Sequence, residues 1–130
     1  MFTIEQIKAA HSKVKSGADF PSYVQEMKSL GVLFYEHFVS DGHIQYQGLN
    51  NFTLLADAKW ASVEVAEIGY HESLRNSLLI HQQGQTDYLT FCKQAAEAGV
   101  QKWTVDMQNM TCTYYDKSDN KMLVEEIPTT

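Results

Sequence analysis

The chain has 130 residues, enough for one domain that buries roughly two-thirds of its unfolded surface without a metal or a disulfide. Sixteen acidic against ten basic residues give a formal net charge of −6, and Arg75 is the only arginine. That balance argues against a phosphate-tracking, nucleic-acid-binding surface, and no stretch approaches the roughly 18 apolar residues of a membrane span.

The first segment, TIEQIKAAHSKV, carries Ile4, Ile7, His11 and Val14 at helical spacing, opened by a Thr3/Gln6 capping box. A second helix follows Asp19 as N-cap, with Pro21 in its first turn and a stripe of Phe20, Tyr23, Val24, Met27 and Leu30. Gly31 ends that helix, and the apolar period changes there from 3.6 to 2.

GVLFYEHFVSDGHIQYQG, residues 31 to 48, predicts a β-hairpin with a two-residue type I′ turn at Asp41-Gly42. That turn sets Val39 opposite Ile44, Phe38 opposite Gln45 and His37 opposite Tyr46. One face then holds Tyr35, His37, Val39, Ile44 and Tyr46. The other holds Phe34, Glu36, Phe38, Ser40, His43, Gln45 and Gln47. Leu54-Leu55-Ala56 predicts a third strand, and residues 57 to 70 a connection in which SVEVAEI is a further short strand.

The later half repeats this grammar. Asp87 precedes a stripe of Tyr88, Phe91, Cys92, Ala95 and Ala98, and Gly99 opens a strand run. A shift of 68 lays Asp87, Tyr88, Phe91, Cys92, Ala95, Ala98 and Gly99 on Asp19, Phe20, Tyr23, Val24, Met27, Leu30 and Gly31; upstream the shift is 67, with Leu74 over Ile7. Trp103, Val105, Met107, Cys112 and Tyr114 form the inner face of the second hairpin, and Met122-Leu123-Val124 its third strand. The expectation is an α+β domain over 1–130, an internally duplicated helix-helix-strand-hairpin-strand unit. The pseudo-repeats span approximately 4–56 and 71–124, and the helices pack on one face of a largely antiparallel sheet.

His37 stands where the second copy has Val105, so packing beside Tyr46 accounts for it. On the outer face the first copy alone offers Phe34 and Phe38, a small apolar patch to be covered by residues 57–70, by a partner chain or by a ligand. No HxH, HExxH or Cys-His cluster occurs, and Glu36 with His43 makes only two of the convergent ligands that a metal site needs. Cys92 and Cys112 lie on core stripes, where thiols are inert. GxSxG, P-loop and dinucleotide fingerprints are missing, and no cofactor is implied. Glu36, His37, His43 and Tyr46 are the weak catalytic candidates for a pocket between the halves.

FTIEQIKAAH, DFPSYVQEMKSLGV followed by YE, QTDYLTFCKQAAEAGV followed by KW, and MTCTYYD resemble a bacterial and prophage-associated family, domain of unknown function 1398. Some members carry the label phage envelope protein. The resemblance implies no catalytic residues, and MFTIEQIK has no basic-then-apolar signal, so a cytoplasmic protein is expected. The expected function is a non-enzymatic module that self-associates, as a dimer, through Phe34 and Phe38. The alternative is a small-molecule-binding protein or modest enzyme.

Overall fold

Residues 2–14 and 19–127 are described by a computed structural model. Each half opens with a helix pair. Helix α1 (Ile4–His11) has the reciprocal cap: Thr3 Oγ1 accepts the Gln6 N–H at 3.2 Å, and Gln6 Oε1 accepts the Thr3 N–H at 2.9 Å. Helix α2 (Phe20–Leu30) closes on Gly31, whose φ of +99° is the left-handed conformation that a glycine adopts without penalty. Helices α3 (His71–Gln82) and α4 (Tyr88–Glu97) form the second pair, and Asp87 caps α4 by accepting the Thr90 N–H at 2.7 Å.

The strands are β1 (Val32–Phe38), β2 (Ile44–Gly48), β3 (Thr53–Ala56), β4 (Lys102–Asp106), β5 (Thr111–Tyr115) and β6 (Lys121–Glu126). They form one antiparallel sheet in the order β3-β2-β1-β4-β5-β6. Two three-stranded meanders are therefore joined along β1 and β4. At this seam Glu36 faces Thr104, 68 residues later, with Tyr35 against Val105 and His37 against Trp103.

One face of the sheet is covered. Tyr35, His37, Val39, Ile44, Tyr46, Trp103, Val105, Met107, Cys112 and Tyr114 all point into a core completed by Val24 and Met27 of α2, Leu74 of α3 and Cys92 and Ala95 of α4. The alternation of apolar and polar positions along each strand produces this division. His11 departs from expectation: its ring is edge-on to Tyr23 at 5.4 Å but stays exposed beside the core.

The first hairpin is longer-looped than predicted. His37 pairs with Ile44, Glu36 with Gln45 and Tyr35 with Tyr46, a shift of two positions from a two-residue turn. The Gly42 N–H bonds to Phe38 O at 2.9 Å and Phe38 N–H to His43 O at 3.0 Å, enclosing residues 39–42. Outside the turn, Trp60 packs on Gly42 so closely that a Cβ there would lie 2.8 Å from the ring, and the Lys59 ammonium donates to Gly42 O at 3.0 Å. These contacts favour the wider loop. Because the slip is even, every side chain keeps its predicted face.

The connection also differs. SVEVAEI forms no strand: Val63 N–H bonds to Ser40 O at 2.7 Å and Ala66 N–H to Ala96 O at 2.9 Å, so its backbone is satisfied by loop and helix-end carbonyls. Val65 enters the core, and Trp60 reaches the inner-face His37. These contacts of the connection lie on the helix side of the sheet rather than over Phe34 and Phe38. Pro128, a residue that the sequence would have end the last strand, lies outside the described residues.

Gly31 and Gly99 separate two costs of a side chain. Both have positive φ, but a Cβ at Gly31 meets nothing within 4 Å, whereas one at Gly99 would lie 2.5 Å from Ile68 O and 2.7 Å from Gly69 Cα. Gly31→Ala is expected to lose about 1–2 kcal/mol from backbone conformation alone. Gly99→Ala should lose clearly more, because the connection must move, and urea unfolding of the two variants measures the difference. Equal losses would contradict the close crossing of the connection over α4.

Candidate functional site

The uncovered face of the sheet is built from every second residue of six strands. One row across it reads Leu55, Gln45, Glu36, Thr104, Thr113 and Val124; the next reads Thr53, Gln47, Phe34, Asp106, Thr111 and Glu126. Leu55 and Val124, at opposite ends of one row, are 63% and 52% exposed. Phe34 and Phe38 are half-buried among their neighbours.

The middle of this face is fixed electrostatically. Lys102 Nζ donates to Glu36 Oε2 at 2.8 Å, and Thr104 Oγ1 donates to the same oxygen at 3.4 Å. The hydrogen bond it donates to Glu36 raises the Lys102 pKa, so the ammonium form is held. The ammonium lies 5.9 Å from the Phe38 ring centre and 5.4 Å from that of Tyr115. His43 stacks on Phe38 at 4.3 Å and holds Asp41 through Nδ1 at 2.5 Å. Glu36 and His43 are thus each paired with another residue, and among the described residues no three His, Cys, Asp or Glu side chains group to hold a metal ion.

On the other side of β1, His37 is 1% exposed. Its ring stacks on Trp103 across the seam at 4.1 Å and 6°. Its Nε2 is hydrogen-bonded to the Tyr88 hydroxyl from the first turn of α4, and the Trp60 ring is 6.3 Å away. Burial, with Lys59 nearby, pulls the His37 pKa down to about 3, so the imidazole is neutral at physiological pH. Tyr46 packs instead against Tyr35, with ring centres 5.5 Å apart, and burial raises its pKa to about 12.

The four residues proposed from sequence therefore divide. Glu36 and His43 face outward, His37 and Tyr46 face the helices, and strand geometry keeps the pairs apart. Burial pushes the Cys92 and Cys112 thiols up to about 12, which keeps them protonated. Sequence reasoning missed Trp60, Tyr88 and Lys102 as neighbours of His37 and Glu36, because each lies 23 or more positions away and only the fold brings them near. Leu55 and Val124 were findable: each is the outward apolar residue of a predicted third strand.

Fold and surface together define an α+β domain with one helix-covered and one bare sheet face. The chain belongs to the family described as Protein of unknown function (DUF1398), whose profile matches residues 8–126. It is similar, at 19% identity over 115 residues, to the Uncharacterized protein YcgX of Escherichia coli (strain K12), covering 88% of this chain and 86% of that protein. No described helix is long and apolar enough to cross a membrane.

The buried imidazole gives a pH test. An unfolded histidine takes up its proton near 6.5, whereas folded His37 does so near 3, so stability is full above about 6.5 and declines as pH falls toward 3. The decline amounts to at most about 1.4 kcal/mol per pH unit. Asp41, Asp87 and Asp116 have pKa values lowered from 3.8, and their losses fall below that pH. Between pH 6 and 4, His37→Gln should therefore flatten the dependence while lowering stability at neutral pH. An unchanged slope in chemical denaturation would contradict a neutral, buried His37.

Proposed function

We propose that this domain is a non-enzymatic module that self-associates by packing the bare sheet face of one copy on that of another. The carrying observation is the one-sided covering: helices and connection supply the core on one face, while the other displays Leu55 and Val124 with Phe34 and Phe38 between them. An exposed apolar patch on a sheet face is a common mark of a protein–protein contact. Packing the same face of two copies together gives the self-complementary contact of a C2 dimer. Residues 4–56 and 71–124 are, in this proposal, copies of one unit. Supporting that, a shift of 68 carries the β1–β2 pair His37–Ile44 onto the β4–β5 pair Val105–Cys112.

Six strands at about 4.8 Å spacing and about five residues of length give a face roughly 25 Å by 17 Å. That is small among specific interfaces, so the association should be reversible and concentration-dependent. Sedimentation equilibrium across a concentration series is expected to give a mass rising from monomer toward dimer. Phe34→Ser with Phe38→Ser should hold it at monomer. Because those rings are half-buried, Leu55→Lys with Val124→Lys serves as the milder variant and should weaken association by at least about tenfold without unfolding. A mass that stays unchanged by both pairs at every concentration would overturn the proposal.

A further inference from the structure

The bare sheet face carries a pattern of charge along its strands as well as an apolar patch, and in one orientation that pattern is complementary to itself. Three rows of outward side chains cross the face. The middle row runs from Leu55 to Val124 through Glu36 and Thr104, and the row on one side runs from Thr53 to Glu126 through Phe34 and Asp106. The row on the other side reads His43, Phe38, Lys102, Tyr115 and Lys121. Two ammonium groups, of Lys102 and Lys121, thus flank the middle row on one side and two carboxylates, of Asp106 and Glu126, on the other.

Lys121 and Glu126 are the uncommitted members of this set. Both are exposed on β6, and neither forms an ion pair among the described residues. Lys102 is already held by Glu36, and Asp106 accepts the Gln108 and Asn109 amides. The other acids at the Lys121 end, Asp41, Asp57, Asp116 and Asp119, lie beyond the strand ends. Of these, Asp41 holds His43 and Asp116 accepts the Ser118 and Asn120 amides.

Two copies meeting face to face are related by a twofold axis lying between the sheets, and two directions are open to it. An axis along the middle row lays each strand antiparallel over its own copy and exchanges the two outer rows. Lys121 of each copy then faces Glu126 of the other, Lys102 faces Asp106, Phe38 faces Phe34, and Leu55 and Val124 each meet themselves. An axis along the strands instead lays β6 over β3 and β4 over β1. Glu126 then faces Thr53 and Asp106 faces Phe34, so both carboxylates meet uncharged groups and one loses water against a ring. In the first orientation Glu36 meets its own copy at the axis, where each is already bonded to Lys102.

We infer that the partner of the bare face is a second copy docked with its strands antiparallel, the middle rows in apolar contact and two reciprocal Lys121–Glu126 pairs at the β6 edge. This inference rests on the face-to-face self-association proposed above and adds the orientation of the partner. Sheets stacked face to face cross at about 30°, which slides edge positions past one another, and long lysine and glutamate side chains span that offset. Rim pairs of this kind choose between orientations more than they add affinity.

The test is a charge swap followed by sedimentation equilibrium at low salt. Lys121→Glu and Glu126→Lys, each alone, should weaken association about tenfold, since each sets like charges against one another twice in a dimer. Their equimolar mixture restores both opposite-charge pairs and should associate within about threefold of the unaltered protein. In parallel, Leu55→Cys should be captured as a covalent dimer by a short bismaleimide, and Leu79→Cys on the helix side should not; the native Cys92 and Cys112 are buried. An unaltered protein that associates while the mixture stays weak, or Leu55→Cys captured only by Val124→Cys, would overturn the orientation and leave self-association standing. Rescue in the mixture without capture at Leu55 would mean that β6 edges pair, and would overturn the inference. A mass fixed at monomer for the unaltered protein would overturn self-association and this inference with it.

Discussion

The antiparallel pairing of β1 with β4 is the contact on which the rest of the structure depends. Each half alone is a three-stranded meander under two helices, a size at which the buried fraction of surface is small and stability marginal. The seam makes them one sheet and one core. His37 of the first half stacks on Trp103 of the second and is bonded to Tyr88 at the start of α4, so contacts across the halves lie at the centre of the molecule. The neutral imidazole keeps an aromatic face and one hydrogen bond, from Nε2 to the Tyr88 hydroxyl, while its buried Nδ1 has no hydrogen-bond partner among the described residues.

The same seam creates the bare face. Joining two meanders edge to edge under one helical layer consumes their inner surfaces and both central edges, leaving six strands' outward side chains. The Glu36–Lys102 ion pair spans the seam on this face and orders its middle, while Leu55 and Val124 stay exposed at its ends. In the proposed dimer, ordered charge at the centre with apolar residues outside it would set register more than add affinity.

Much of the fold was legible because local signals agreed. The Thr3/Gln6 box, the stripes of α2 and α4, and the change of period after Gly31 and Gly99 each name an element and its covered face. The hairpin register was not legible, since Asp41-Gly42 alone favours a two-residue turn and only Trp60 and Lys59, seventeen or more residues on, select the wider loop. Parity preserved the faces despite that error. SVEVAEI has strand-like alternation, yet its amides bond to Ser40 and Ala96 carbonyls, partners that no local pattern encodes. Of the site, Phe34 and Phe38 were visible as an apolar excess. The separation of Glu36 and His43 from His37 and Tyr46 by the sheet follows from the predicted alternation itself.

Isotope-filtered nuclear Overhauser spectra of a mixture of labelled and unlabelled protein test the central claim most directly, since they register only contacts between copies. The account predicts intermolecular cross-peaks among the Leu55 and Val124 methyls and the Phe34 and Phe38 rings, and none from core residues such as Val24 or Leu74. Cross-peaks confined to helix-side groups such as Leu79 and Leu89, or none at millimolar concentration, would contradict it.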